Sequence, residues 1–188
     1  MTTRTTTSDL PVLELDRADW RAWLSENHSA SSGCWLVVDR RKHPVGVLPY
    51  LDAVEEALCF GWIDSTVRPG DGVSYQRFSP RRGGSNWTEL NLERCRRLER
   101  LGLMTDAGRA VIPERDFSVD GQVLDALRAD PVTWANYLAL PDLYVRVRVG
   151  NIQIKRGTAL YGTRLERFVE DTRRGIIRGN WNDGGRLL

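Results

Sequence analysis

Lysine is almost missing from this chain. Lys42 and Lys155 are the only two, and the 27 Lys and Arg side chains stand against 25 acidic ones at a formal net charge of +2. A near-neutral chain has no bulk attraction for polyanions, which excludes non-specific DNA binding through charge alone. Arginine in place of lysine favours forked contacts to carboxylate and phosphate, although a GC-rich coding sequence produces the same bias. Histidine is as scarce, with His28 and His43 only, and Cys34, Cys59 and Cys95 are far apart without a CxxC pair. Neither a zinc set nor a disulfide framework can be built from these, so no metal is expected. Unpaired thiols point to a reducing, cytoplasmic setting. No apolar run approaches the length of a membrane span, so no membrane insertion is expected. Residues 1–8 lack a hydrophobic signal core and read as a polar, disordered tail. P-loop, GxGxxG, GxSxG and HExxH patterns are absent, so no cofactor is expected.

What is there suits one domain, or one domain with an appendage, in 188 residues. Residues 16–24 read as a helix capped by Asp16, with Trp20, Trp23 and Leu24 on one face. The apolar run 34–39 reads as a buried strand, followed by the basic loop 40–43, where His43 is a candidate base. Residues 49–91 organise the remainder. Leu51, Val54 and Leu58 recur at helical spacing, with Glu55 and Glu56 on other faces, and Gly61 fits the position just past the helix end. In the strand pattern 73–78, Val73, Tyr75 and Arg77 share one face, and Ser74, Gln76 and Phe78 the other. Ser85 or Asn86 is placed to cap a helix running to Leu101. Later helices are expected after Ser118, after Asp130-Pro131 and over 163–172, whereas the alternation of Val145, Val147 and Val149 supports a strand.

Polar residues fall where this pattern predicts burial. Asp64 leaves an apolar turn, and Asn91 lies beside the face carrying Cys95 and Leu98. Buried polar groups need partners. Asp64, Arg77, Arg81, Ser85, Trp87 and Asn91 are therefore expected to converge on one site. Asp64 is the candidate acid or base, with a salt bridge to Arg77 as the alternative. Arg77, Arg81 and Arg82, with Gly83 and Gly84 admitting close backbone approach, would hold a carboxylate or phosphate. The other reading is a surface arginine cluster paired with Glu55, Glu56 or Asp71. Trp62 and Trp87 bracket these arginines and would either stack a planar ligand or anchor the core. Cys59 and Cys95 read as buried structural thiols.

The segments ALCFGWIDS (57–65), RFSPRR (77–82), SNWTELN (85–91) and GLMTDAG (102–108), in that order, resemble the YdeI/OmpD-associated family, also called the bacteriocin-protection family. Arg40 and Arg41 resemble that family's basic pair after the strand. The resemblance implies a small bacterial protein with a role in tolerance of antimicrobial peptides. It weakens after about residue 140. The expected fold is α+β, a small mixed sheet with packed helices and a helical C-terminal region. Its expected organisation is a core domain over 9–140 and a divergent helical or extended region over 141–188 packing on it. The expected function is binding of a small anionic or planar molecule in a polar cleft, with no nucleic-acid partner. The alternatives are a cofactor-independent acid–base enzyme and an interaction module built on the arginine-rich end.

Overall fold

The computed structural model describes residues 10–41, 46–70 and 72–188. The expected tail at 1–8, the candidate base His43 and the candidate ion-pair partner Asp71 lie outside the described residues. The chain divides into two compact units. The first takes the chain up to Ser85 together with Arg94–Ile112, and the second takes Asn86–Glu93 and Pro113–Leu188. The fold is α+β.

The first unit is built on a four-stranded mixed sheet in the order β1-β2-β4-β3. Its strands are β1 (Val12–Leu13), β2 (Cys34–Val38), β3 (Trp62–Pro69) and β4 (Ser74–Pro80). The short β1 runs parallel to β2, and the other pairs are antiparallel. The two strands read from the sequence are neighbours, with Trp35 opposite Arg77 and Leu36 opposite Gln76. β3 is longer than the extended exit expected after Gly61, with an irregularity in register between Asp64 and Val67.

Helix α1 (Arg17–Asn27) starts where Asp16 accepts the Asp19 amide at 2.8 Å. It brings Trp20 against Phe78 with ring centroids 5.4 Å apart, and Trp23 edge-on to Trp62 at 5.7 Å. The Trp20 indole N–H donates to the Ala53 carbonyl at 3.1 Å, which ties α1 to α2 (Tyr50–Cys59). Burying aromatics with satisfied N–H groups anchors this core. Gly61 has φ +73°, the left-handed stop expected after α2. Glu55 and Glu56, expected on other faces than Leu51, Val54 and Leu58, are buried at 2% and 3% exposure. Arg17, Arg21 and Arg97 reach them.

The turn carrying GLMTDAG docks on the end of α2. The amide and hydroxyl of Thr105 both donate to the Cys59 carbonyl, at 3.2 and 2.6 Å, satisfying an oxygen the helix end leaves open. The short helix α4 (Asp106–Arg109) follows so closely that a Cβ on Gly108 would lie 2.2 Å from the Cys59 carbonyl oxygen.

Helix α3 (Glu89–Arg100) has its first turn in the second unit and its remainder in the first. It begins later than expected. Thr88, rather than Ser85 or Asn86, caps it by accepting the Asn91 amide at 3.2 Å. The rest of the second unit is helical: α5 (Gly121–Arg128), α6 (Pro131–Leu138), α7 (Asp142–Gln153) and α8 (Ala159–Arg173). Asp130 caps α6 ahead of Pro131, as expected. Asp120 rather than Ser118 precedes α5. The expected strand over 145–149 is part of α7. Tyr144, Val147, Val149 and Ile152 are buried, and Val149 and Ile152 join Tyr144, Val123, Leu127 and Phe168 in one cluster. Tyr144 and Val147, and Val149 and Ile152, are each three residues apart, as one helix side requires, and packing overrides the weak helix preference of valine.

Candidate functional site

Strand register decides where the predicted site residues go. Asp64 lies opposite Phe78, and Arg77 lies opposite Trp35. Facing residues of an antiparallel pair project to the same side, and successive residues to opposite sides. Asp64 and Arg77 therefore occupy opposite faces of the sheet. The expected salt bridge between them is not formed, and Arg77 is removed from the Asp64 site. Its Nε is buried without a hydrogen-bonding partner among the described residues.

Asp64 instead accepts the hydroxyl of Tyr50, on the first turn of α2, at 2.7 Å. The guanidinium of Arg40 lies over the Tyr50 ring, 3.7 Å from its centroid, and donates to Oε1 of Gln76. Gln76 is fully buried, and its amide nitrogen donates to the carbonyls of Thr66 and Arg77 at 3.1 and 3.3 Å. Burial, with the Asp64 charge second, pushes the Tyr50 phenol up to about 12. Tyr50 is thus held as a hydrogen-bond donor at neutral pH. Arg41 is committed elsewhere, with Nε donating to both oxygens of the buried Asp39 at 3.0 and 2.9 Å.

Arg81 follows β4, and its amide donates to the Gly61 carbonyl at 2.9 Å. The residue is 8% exposed. Burial pulls its guanidinium down to about 10, with Cys95 and Asp64 acting in the opposite direction. Arg94 of α3 is equally buried, and its charge acts on Tyr50. Tyr50, Asp64, Arg81 and Arg94, edged by Arg40 and Gln76, form a polar corner of the first unit. It contains donors of both neutral and cationic type and one carboxylate, which suits recognition of an anion with a hydrogen-bonding edge.

The remaining predicted residues are accounted for separately. Trp62 is 1% exposed, with its indole N–H donating to the His28 carbonyl at 3.1 Å, so it is a core anchor. Ser85 accepts the Arg82 amide at 3.1 Å and closes a turn, while Arg82 is exposed. Trp87 and Asn91 belong to the second unit, where the Trp87 carbonyl accepts from Arg115 at 2.7 Å. Of the eight predicted residues, Asp64 and Arg81 occupy the corner. Sequence reading missed Tyr50, Arg94 and Gln76. Only Gln76 left a signal, a polar residue on the Phe78 face of β4. The three thiols are free and buried, and burial raises Cys34 and Cys95 to about 12 and Cys59 to about 11, so none offers a thiolate. Among the described residues no three His, Cys, Asp or Glu side chains gather as a metal set. No described helix is long and apolar enough to cross a membrane.

Residues 13–111 match the model of a family described as Domain of unknown function (DUF8412). The chain belongs to the DUF8412 family. No curated protein and no solved structure matches it. The DUF8412 segment contains every member of the Arg81 corner and all four motifs quoted above. Part of that motif signal is architectural, because Gly61, Thr105 and Gly108 serve the junction of α2 with α4.

Proposed function

We propose that this DUF8412 protein binds a small anion, flat enough to lie beside Tyr50, at the Arg81 corner. The observation that carries the reading is Arg81. It is 8% exposed, burial disfavours its charged form with the Asp64 charge acting the other way, and arginine does not discharge itself at neutral pH. An arriving anion offsets that cost. Tyr50 adds a neutral donor and Arg40 a stacked cation at the edge. The resemblance to bacteriocin-protection proteins supports placing this binding in tolerance of antimicrobial peptides, and three buried free thiols support a reducing, cytoplasmic setting. The Tyr50–Asp64 hydrogen bond favours a second reading, a cofactor-independent acid–base enzyme in which Tyr50 presents a proton and Asp64 receives one.

Calorimetric titration with inorganic phosphate and malonate tests the first reading. Wild-type protein binds one of them, and Arg81→Met does not. The variant melts at the same or a higher temperature, because replacing a costly buried charge by an apolar chain of similar length is often neutral or stabilising. A variant that keeps binding and melts several degrees lower would make Arg81 structural and end the proposal. In the enzyme reading, Asp64→Asn loses turnover while retaining the anion.

A further inference from the structure

Outside the family match, α7 and α8 enclose a cavity of about 390 Å³ in the second unit. Two helix stripes build it. Tyr144, Arg148 and Ile152 stand at successive i, i+4 positions on α7, and Arg164, Phe168 and Asp171 at helical spacing on α8. Tyr144, Ile152 and Phe168 give an apolar floor, each 5% exposed or less. Four arginines, Arg148, Arg164, Arg167 and Arg178, line it against the single carboxylate of Asp171, an excess of three positive charges.

The hydrogen bonds show which of these cations are committed. Arg178 grips both oxygens of Asp171, with Nη2 to Oδ1 at 2.6 Å. Arg164 donates to the Asn151 carbonyl at 2.6 Å. Arg148 donates from Nη2 to the carbonyls of Arg178 and Gly179 at 2.9 and 2.6 Å, but its Nε is buried without a hydrogen-bonding partner among the described residues. Arg167 is an exposed rim cation whose Nε lies 3.9 Å from Asp171. Carbonyl oxygens satisfy donors but cancel no full charge, so the excess remains. The volume is that of a small-ligand pocket, and guanidinium groups match phosphate oxygens in forked geometry.

We infer that this cavity binds a dianionic organic phosphate carried on a small apolar or aromatic body, the phosphate against Arg148 and Arg167 and the body on the Tyr144–Phe168 floor. This site is independent of the Arg81 corner. Phenyl phosphate titrated into the full chain tests it, with inorganic phosphate and phenol as comparisons. Saturable binding of phenyl phosphate is expected, about tenfold tighter than inorganic phosphate because only the ester uses the floor, with none for phenol. Arg167→Ala weakens it about threefold at an unchanged melting temperature. Arg148→Gln weakens it about tenfold or more. Arg81→Met removes any phosphate or ester taken up at the Arg81 corner, and the phenyl phosphate site in the second unit remains. Absence of saturable binding, equal affinity for inorganic phosphate, full binding in Arg167→Ala, or loss in Arg81→Met each overturns the proposal. Should Arg148→Gln fail to fold, the Arg167→Ala arm decides.

Discussion

In the first unit, Asp52, Glu55 and Glu56 on α2 meet guanidinium groups that include Arg17, Arg21 and Arg97, an acidic stripe matched by cations. In the second, one buried carboxylate, Asp171, stands among four arginines around a cavity. Both arrangements bury charge, yet they answer different questions. A balanced set returns by mutual attraction what desolvation costs, so it needs nothing from outside. An unbalanced set beside an open volume is stabilised further only by a ligand. The Arg81 corner lies in the first unit too, where a neutral donor and a stacked cation stand beside the buried Arg81.

The largest effect tests how rigidly the first unit is joined. An alanine at 108 would put its Cβ 2.2 Å from the Cys59 carbonyl oxygen, a backbone atom that cannot turn aside. Gly108→Ala is expected to cost about 3 kcal/mol or more in urea unfolding. In the second unit, the Cβ of Gly150→Ala would meet Cγ of Glu89 at 2.7 Å, the middle of a side chain that can rotate. About 1 kcal/mol is expected there. Equal costs would mean that α4 is not fixed on α2 as described.

These junctions mark the boundary of what sequence reading reaches. The β2 run, the Asp16 cap, Gly61 and the Asp130-Pro131 start are local signals and were readable locally. The burial of Glu56 depends on Arg17 and Arg21, 39 and 35 residues away in the chain, and no local pattern announces such partners. Asp64 and Arg77 are both polar in an apolar stretch, which by itself points to one shared site. Their separation follows from register, which places Asp64 opposite Phe78 and hence one residue out of phase with Arg77. Residues 145–149 fit two periods at once, and only the surrounding cluster selects the helix.

A smaller effect separates balanced from peripheral ion pairs. Glu56 accepts from Arg17 Nε and Arg21 Nη1, both at 2.7 Å. Glu56→Gln leaves two guanidinium groups facing a neutral amide. Because those arginines are 40% and 34% exposed, water screens part of the loss, and about 2 kcal/mol is expected from thermal unfolding. In the second unit, Arg156 pairs with Asp120 while 60% exposed. Asp120→Asn should therefore cost about 0.5 kcal/mol. A reversed order of melting temperatures would show that the α2 network is not what stabilises the first unit.

The last effect, read mainly by titration, is the most specific to the Arg81 corner. Tyr50 has an ordinary phenol value of 10.0, raised to about 12 first by burial and then by the Asp64 charge. The raised value means that the folded protein prefers the protonated phenol. Its contribution to stability is fully present below about pH 10 and is lost as pH rises through about 12. An ultraviolet titration of tyrosinate should show a late-ionising component that Tyr50→Phe removes. The same substitution deletes the O–H accepted by Asp64 at 2.7 Å, at a cost of about 1 kcal/mol at neutral pH. Asp64→Asn should return the late component only part of the way toward 10, since burial is the larger cause and remains. A complete return would make the Asp64 charge dominant, and no change would mean that Tyr50 and Asp64 are not bonded. Either result would redraw the corner around Arg81 without its neutral donor.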